Sequence, residues 1–272
     1  MTDTTSTDAS AEPNEGHGPE VLYEVTDHVA TITLNRPEVM NAFDRQMCEE
    51  VRDAWKRVKD DRSVHAVVLR AAGDRAFCAG LDTKKPYRQP DDIWNHEDPG
   101  ELLSPKWQQV WKPVVCAVQG ICTGGAYYFV NEADIVICSP EATFFDSHVT
   151  YGLVCALEPL GLMRKVGLAE SLRIALMGND ERVTAETALR ISLVTEIAER
   201  DQLWARAHEI AAGIAAKPSV ATQGTVRAIW ESLDKPYRAA MQQGLLYTRV
   251  GNPIGQAEVA ADPPAKPTPR LR

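Results

Sequence analysis

Long apolar runs, an excess of basic charge and a secretion signal are all missing from this 272-residue sequence. No stretch approaches the roughly 18 consecutive apolar residues of a membrane-spanning helix, and residues 1–20 contain neither the basic nor the apolar segment of a signal peptide. The 38 acidic residues outnumber the 29 basic ones, and the resulting net charge of −9 argues against binding to nucleic-acid phosphates. We therefore expect a cytoplasmic protein that binds neither membranes nor nucleic acids.

Paired cysteine motifs and the common metal-binding motifs are also missing. The sequence has no CxxC pair, and its cysteines lie mostly in apolar runs such as 114–118, which predicts buried, reduced thiols. These cysteines are Cys48, Cys78, Cys116, Cys122, Cys138 and Cys155. The six histidines show neither HxH nor HExxH spacing, and we predict no metal site.

The hydrophobic pattern divides the chain into a body and two tails. Residues 1–20 and 262–272 are poor in apolar side chains and are predicted to be disordered, which leaves one body at 21–261. Strands alternate with helices over 21–158, whereas helical periodicity dominates over 159–261. Short strands separated by helices are typical of an α/β protein with buried, parallel strands.

Individual elements follow from the same periodicity. The predicted strands are 21–25, 29–34, 64–71, 113–118, 134–138 and 194–197. The predicted helices are one capped by Asp44, one after the turn at 120–125, and those at 102–111, 160–177, 185–191, 203–216, 220–233 and 237–248. Residues 73–82 are predicted to form a loop.

Two glycine-bearing segments follow predicted strands: AFCAGLD at 76–82 and QGICTGGA at 119–126. Neither has the spacing of a nucleotide-binding loop. Glycine allows the backbone to approach a ligand closely, and the first N–H groups of a following helix are unpaired. Two such loops side by side could donate two N–H groups to one oxygen, as in an oxyanion hole. The alternative interpretation is that both segments are tight turns between a strand and a helix.

The order of several sequence blocks resembles the crotonase (enoyl-CoA hydratase/isomerase) superfamily. The blocks are LNRP at 34–37 with NA at 41–42, AFCAGLD at 76–82, KPVVCAVQG at 112–120 with GG at 124–125, and ADIV at 133–136. The resemblance extends from about residue 21 to about residue 248. It implies a spiral of ββα units with a helical C-terminal region, a homotrimer or dimer of trimers, and an acyl-CoA thioester substrate. Coenzyme A would enter as part of the substrate, and no separate cofactor is expected.

The resemblance also implies roles for individual positions. The oxyanion hole would consist of the backbone N–H groups of Leu81 and Gly125. The residues expected to surround the adenine and pantetheine are Val39, Met40, Ala42, Ala79, Gly80 and Asp82. Because the chain as a whole is acidic, an anionic CoA ligand would have to be held by backbone amides and a few local basic side chains.

Two positions depart from the family pattern. Hydratases of this family have glutamates where this chain has Tyr128 and His148. His148 titrates near neutrality and can act as a general acid or base, and an extended 144–148 segment would place Asp146 on the same face to orient it. Tyr128 can donate a hydrogen bond to a water or a substrate oxygen but is a poor base. The alternative is that Tyr128 is a core aromatic residue and His148 a satisfied, partly buried histidine.

Several further residues are weaker candidates. Glu158 precedes Pro159 at a predicted helix start and could be a catalytic carboxylate, or simply a residue favoured by the helix dipole. Trp94, His96 and Trp107 could line the acyl pocket, and Lys84, Lys85 and Arg88 could contact CoA phosphates; for both sets, an exposed surface position is the alternative.

The resemblance therefore implies an enzyme of the enoyl-CoA hydratase/isomerase type, with Leu81, Gly125, Tyr128, His148 and Glu158 as its catalytic candidates. The missing glutamate pair favours reactions that need enolate stabilisation without two carboxylates: isomerisation, decarboxylation, or hydrolysis of a C–C or thioester bond. A catalytically weak CoA-ester-binding homologue is the alternative.

Overall fold

The computed structural model describes residues 18–85, 91–92, 94–96, 98–261, 263 and 269. The predicted N-terminal tail up to residue 17, Arg88, and most of the predicted tail at 262–272 lie outside the described residues, and the tail boundaries stay predictions. Within the described residues, every helix is too short or too polar to cross a lipid bilayer.

The described chain alternates strands and helices before it becomes mainly helical. The strands are β1 Val21–Thr26, β2 Val29–Leu34, β3 Ala66–Ala71, β4 Ala76–Cys78, β5 Val114–Val118, β6 Ile121–Thr123, β7 Ile135–Cys138, β8 Thr143–Phe145, β9 Val183–Thr184 and β10 Glu196–Ile197. The α-helices are α1 Arg45–Asp60, α2 Gly100–Leu103, α3 Tyr127–Glu132, α4 Leu157–Val166, α5 Leu168–Met177, α6 Ala185–Arg190, α7 Leu203–Ala215, α8 Ser219–Ser232 and α9 Tyr237–Ala261. Short 3₁₀ helices cover Pro37–Val39, Gly124–Ala126, His148–Tyr151 and Gly178–Asp180.

The strands form two sheets that the chain visits alternately. One sheet has the order β1-β2-β3-β5-β7-β10 and the other β4-β6-β8-β9. The pairs β1–β2 and β8–β9 are antiparallel, and the other strand pairs are parallel. Each of the successive pairs β3/β4, β5/β6 and β7/β8 adds one strand to each sheet before a helix or loop returns the chain. This repetition confirms the predicted spiral of ββα units with a helical C-terminal region.

The central strands are buried on both faces, which explains their continuous apolar character. In β3, Val67 and Leu69 face the main core, whereas Ala66 and Val68 face a second core beneath α7. In α1, the carboxylate of Asp44 caps the start of the helix by accepting a hydrogen bond from the N–H group of Met47 at 3.1 Å, as predicted.

Three predicted elements in the first half are wrong. The predicted loop at 73–82 contains β4 and the predicted turn at 120–125 contains β6, because these three-residue strands are stabilised by pairing and have no periodicity of their own. The predicted helix at 102–111 is instead the four-residue α2, which ends at Leu103. The cause is Pro105, because a proline disfavours helical dihedrals at the preceding residue.

The helical half differs from the prediction mainly at its boundaries. The predicted helix 160–177 is divided into α4 and α5 at Gly167, whose φ of +81° is a left-handed value that ends α4. The last helix continues past Thr248 to Ala261. The cysteines are free, as predicted, and five of the six are buried; Cys155 is half-buried.

Candidate active site

Three neighbouring parallel strands end at one edge of the smaller sheet. After β4 come residues 79–82, after β6 comes the 3₁₀ helix Gly124–Ala126, and after β8 comes the segment 146–148. Because parallel strands end on the same side, β4, β6 and β8 bring both glycine loops and His148 to one place. Carboxyl ends of parallel strands are a common location for ligand sites in α/β proteins.

The direction of the Leu81 N–H group follows from its pairing with Phe43. The N–H of Phe43 donates to the carbonyl of Gly80 at 2.9 Å, and the N–H of Asp82 donates to the carbonyl of Phe43 at 2.8 Å. Peptide groups alternate in direction along an extended segment, so the N–H of Leu81 points away from Phe43. The N–H group of Leu81 therefore takes no part in the backbone pairing with Phe43 that holds residues 79–82.

The two glycine loops are in close contact. Gly80 has a φ of +85°, and a Cβ atom placed there would lie 3.3 Å from the backbone nitrogen of Gly125 and 3.1 Å from the carbonyl of Thr123. A Cβ atom on Gly125 would lie 2.5 Å from Cζ of Phe43, whose side chain is fully buried. Phe43 therefore holds both loops, one through its backbone and the other through its ring. Sequence reasoning did not identify this residue, because a phenylalanine before a helix cap carries no functional signal.

His148 is oriented by Asp146, although not in the predicted way. The segment is not extended: Ser147 has helical dihedrals, and His148 starts a 3₁₀ helix. The Asp146 carboxylate accepts the backbone N–H of His148 at 2.9 Å and lies 2.7 Å from its ring Nδ1. The contact between Asp146 and His148 therefore comes from a local turn, and not from the alternation of side chains along a strand. The ring lies beside the second glycine loop, with Cε1 3.8 Å from where a Cβ on Gly124 would stand.

Glu158, in the first turn of α4, lies on the other side of the imidazole. Its carboxylate is 9% exposed, and Oε1 is 3.7 Å from Nε2 of His148. Burial raises the pKa of Glu158, and the carboxylates of Asp146 and Asp98 add to this effect against the opposing influence of the imidazole and a backbone N–H. The hydrogen bond to Asp146 raises the pKa of His148 above its ordinary value near 6.5, and burial only partly opposes that effect.

Asp146 itself remains ionised. Burial alone would raise the pKa of its carboxyl group, but the hydrogen bonds from the ring and backbone of His148 outweigh burial and lower it. The thiol of Cys155 lies within 4.8 Å of the same carboxylate. His148 thus lies between two different carboxyl groups. Asp146 has a lowered pKa and favours the imidazolium, whereas Glu158 has a raised pKa and is protonated more readily than Asp146.

Tyr128 points into the site, unlike its neighbour Tyr127, which is fully buried in the core. The Tyr128 ring occupies the space left by the missing side chain of Gly100, where a Cβ atom would lie 2.1 Å from Cε1. Burial, followed by the charges of Glu158 and Asp98, raises the pKa of Tyr128. The hydroxyl is therefore a permanent donor at neutral pH.

The site contains carboxylates beside Tyr128 and His148. Glu158 comes from the start of α4, and Asp98 comes from the segment before α2. Asp98 was not identified from the sequence, where Asp-Pro-Gly at 98–100 indicates only a turn. The arrangement combines unpaired backbone donors, an imidazole and two nearby carboxylates, which is suitable for proton transfer next to a developing oxyanion.

Comparison with known proteins agrees with this fold. The family model described as enoyl-CoA hydratase/isomerase matches residues 24–249. The chain belongs to this family, within the crotonase superfamily.

Named relatives and a solved structure support this membership. The (E)-benzylidenesuccinyl-CoA hydratase of Thauera aromatica is 32% identical over 232 residues, covering 85% of this chain and 88% of the relative. The 1,2-epoxyphenylacetyl-CoA isomerase of Escherichia coli is 30% identical over 207 residues, covering 73% and 77%. A crystal structure of an enoyl-CoA hydratase/isomerase from Mycobacterium paratuberculosis has a TM-score of 0.81 at 38% identity, covering 90% of this chain and 94% of that one.

In this family member, the residues predicted to contact CoA lie on two adjacent segments, 39–42 and 79–82. The N–H of Ala79 donates to the carbonyl of Met40 at 3.0 Å, which links them. Val39, Met40 and Ala79 are half-buried, whereas Ala42 and Gly80 are buried. These contacts place the six residues of the prediction together; their role in binding CoA stays a prediction.

The Asp82 carboxylate is buried and faces Arg36 at 3.0 Å rather than the surface. Arg36 also contacts the carboxylates of Glu20 at 3.2 Å and Asp44 at 3.3 Å. Asp82 therefore shapes the 79–82 loop through Arg36, and a contact with ligand would have to use its backbone. The adjacent Lys84 and Lys85 are exposed, as are Trp94, His96 and Trp107.

Four side chains at the site carry donor types that metals use. Ligand atoms of Asp146, His148, Cys155 and Glu158 all lie within 4.8 Å of one another. The sequence predicts no metal site, because the spacing of these four residues along the chain matches no metal-binding motif. Among these groups, the His148 ring contacts the carboxylate of Asp146 at 2.7 Å and that of Glu158 at 3.7 Å.

Proposed function

We propose that this enzyme of the enoyl-CoA hydratase/isomerase type binds an acyl-CoA thioester at the edge where β4, β6 and β8 end. The N–H groups of Leu81 and Gly125 stabilise the enolate or oxyanion of the thioester carbonyl, and His148 transfers the proton. One observation carries this proposal: the His148 ring lies beside the Gly124–Gly125 loop, held between Asp146 at 2.7 Å and Glu158 at 3.7 Å.

The chemistry of each group follows from its surroundings. Two N–H donors that share one oxygen lower the energy of negative charge on it, so a proton on the neighbouring carbon becomes easier to remove. Neutral His148 takes that proton, and the ionised Asp146 stabilises the imidazolium that results. Glu158, whose pKa is raised, can return a proton to a different atom, and Tyr128 donates a hydrogen bond to a water or substrate oxygen.

This sequence of steps is compatible with both hydration and isomerisation, the reactions in the names of the two relatives. A second candidate is hydrolysis of a C–C or thioester bond, or decarboxylation. The Asp146–His148 pair favours hydrolysis among these, because an imidazole oriented by a carboxylate can activate a water molecule. A CoA-ester-binding protein with little turnover is the remaining alternative.

Steady-state assays against crotonyl-CoA and a panel of malonyl-type and β-keto acyl-CoAs test the proposal. We expect His148→Ala to reduce kcat on the best substrate by about 10²- to 10⁴-fold with little change in binding, the range typical of a lost general base. Tyr128→Phe should have a smaller effect. The matched controls are His28→Ala, at the exposed β1–β2 turn, and Tyr237→Phe, on the surface of α9.

Two outcomes would contradict the proposal. Turnover of crotonyl-CoA that neither His148→Ala nor Tyr128→Phe changes would remove both residues from the mechanism. Binding of every CoA ester with turnover of none would support the binding-protein alternative. Dialysis against EDTA should leave kcat unchanged, because the proposed steps use no metal. Coenzyme A enters as part of the substrate, so dialysis should remove no cofactor either.

We also propose a homotrimer or dimer of trimers in the cytoplasm. The helices α8 and α9 present large apolar side chains to solvent, among them Leu245 at 54% and Leu246 at 58% exposure. Apolar patches of this kind are typical of surfaces that another chain covers. The free, mostly buried thiols fit a reducing compartment. Light scattering should give three or six times the mass of one chain, and a monomer at micromolar concentration would contradict the assembly.

A further inference from the structure

The inner end of the site has a marked excess of negative charge. Asp146 and Glu158 lie on either side of the His148 ring, at 2.7 Å and 3.7 Å. Asp98 is bonded to Gly100, against which the Tyr128 ring packs. The groups that act on Glu158 electrostatically are His148, Asp146 and Asp98, one imidazole against two further carboxylates. The mechanism uses Asp146, His148 and Glu158, but it leaves Asp98 without a role.

Asp98 is held in place by the start of α2. Its carboxylate accepts the N–H of Gly100 at 2.9 Å, and its carbonyl accepts the N–H of Glu101 at 3.1 Å. Gly100 in turn leaves the space that the Tyr128 ring fills, so the Asp98 carboxylate lies near the Tyr128 side chain. A charge fixed by backbone bonds beside a buried hydroxyl cannot move away when a ligand enters.

We propose that Asp98 is a specificity-determining residue that makes the acyl pocket accept uncharged acyl groups and reject those that carry a carboxylate. This inference rests on the proposed function, since it assumes that the acyl chain extends from the Leu81–Gly125 donors toward Tyr128. A substrate carboxylate there would be an additional negative charge in a half-buried site that already has three acidic side chains. Like charges placed together in a poorly solvated site disfavour binding strongly.

The Tyr128 hydroxyl strengthens the argument. It has one proton to donate, and the charges of Glu158 and Asp98 already act on it. A third carboxylate, from a ligand, would compete with both of them for that single donor. An acyl group that ends in a hydroxyl could instead donate to Asp98 or Glu158. The pocket therefore favours a neutral acyl chain, including one with a hydrogen-bond donor.

Calorimetric titration with butyryl-CoA and glutaryl-CoA tests this inference, because the two differ only by a terminal carboxylate. We expect wild-type protein to bind glutaryl-CoA at least about tenfold more weakly than butyryl-CoA. Asp98→Asn keeps an oxygen to accept the Gly100 N–H but removes the charge. The ratio of the glutaryl-CoA Kd to the butyryl-CoA Kd should therefore fall at least about threefold, while the butyryl-CoA Kd itself changes little. Asp98→Glu, which keeps the charge, should retain the discrimination.

Glu101→Gln is the matched control, because Glu101 is an exposed acid on the same segment. It should leave the ratio unchanged, and a thermal melt of each variant verifies that it is folded. Equal affinity of wild-type protein for both esters would overturn the inference and leave the proposed function intact. An equal change of the ratio in Asp98→Asn and Glu101→Gln would also overturn it. Failure of butyryl-CoA to bind would overturn the proposed function itself.

Discussion

The strand-rich part of the molecule and its C-terminal helices bury their apolar side chains to very different extents. Every residue of β2 and β5 is buried. By contrast, none of the described residues of α8 is buried, and in α9 the only buried one is Gly255. The strands obtain their packing partners from the same chain. The long helices leave exposed apolar surface, which a second copy would cover in the proposed oligomer.

The two regions also contribute different chemistry to the site. In the proposed mechanism, the strand-rich region supplies the backbone N–H groups of Leu81 and Gly125, whose positions depend on sheet register and on the ring of Phe43. The helical region supplies a side chain, Glu158, at the first turn of α4. Backbone donors cannot be removed by side-chain truncation, but they are sensitive to added volume. The damaging substitution in the strand-rich region should therefore be one that adds volume, whereas in the helical region it should be one that removes a side chain.

The largest expected effect is at a glycine of the strand-rich region. Gly125→Ala places a methyl group 2.5 Å from the buried Phe43 ring, so the loop must shift. Loss of an aligned oxyanion donor reduces kcat by about 10²- to 10³-fold. Gly213→Ala in α7 has no neighbouring atom within 4 Å of the new Cβ and should raise stability by about 0.5–1 kcal/mol without changing kcat. Wild-type kcat in Gly125→Ala would contradict the proposed oxyanion hole.

A pair of leucines tests the difference in burial directly. Leu69 in β3 is 0% exposed, and truncation to alanine should reduce the free energy of unfolding by about 2–5 kcal/mol, measured by urea denaturation. Leu246 in α9 is 58% exposed, so Leu246→Ala should have little effect on the unfolding of an isolated chain.

Leu246→Ala should, however, shift the oligomer toward smaller species in dilution experiments. Equal losses of stability in the two variants, independent of protein concentration, would show that α9 is buried within its own subunit.

The smallest expected effect concerns pH. The hydrogen bond from His148 to Asp146 raises the pKa of His148 above 6.5, so the neutral base is lost, and kcat/KM falls, as the pH drops through that raised value. Asp146→Asn removes the charge and should move the acid limb of the profile to lower pH, with a reduced plateau. Imidazole NMR titration gives the pKa independently, and an unchanged value in Asp146→Asn would contradict the role of Asp146. Asp201→Asn, in an exposed turn, is the control.

Sequence patterns predicted the larger elements well because these carry their own periodicity. The spacing of Met47, Val51 and Trp55 predicts α1, and β-branched runs predict β3 and β5. The strands β4, β6, β8 and β9 have two or three residues each and exist only because they pair with one another. Such pairing is long-range and leaves no local pattern, so these four strands were missed although β4, β6 and β8 position the site.

The candidate site shows the same limit. Tyr128, His148 and Glu158 were singled out by their positions relative to a family pattern, and the fold brings them together. Their relation to one another was predictable only in part: Asp146 contacts His148 through a local turn rather than along a strand. Phe43 and Asp98 were missed because their contacts join segments far apart in the chain.

The sequence by itself determined the family, the alternation of strands and helices, and the glycines that allow two loops to approach each other. These properties depend on residue type and short-range periodicity, which a linear pattern contains. The tertiary structure alone decided that carboxylates from the start of α4 and from the segment before α2 come near His148 and Tyr128. The physical reason is that contact between distant segments depends on sheet order and strand register, and the net charge of −9 does not reveal that two of its carboxylates meet at one imidazole.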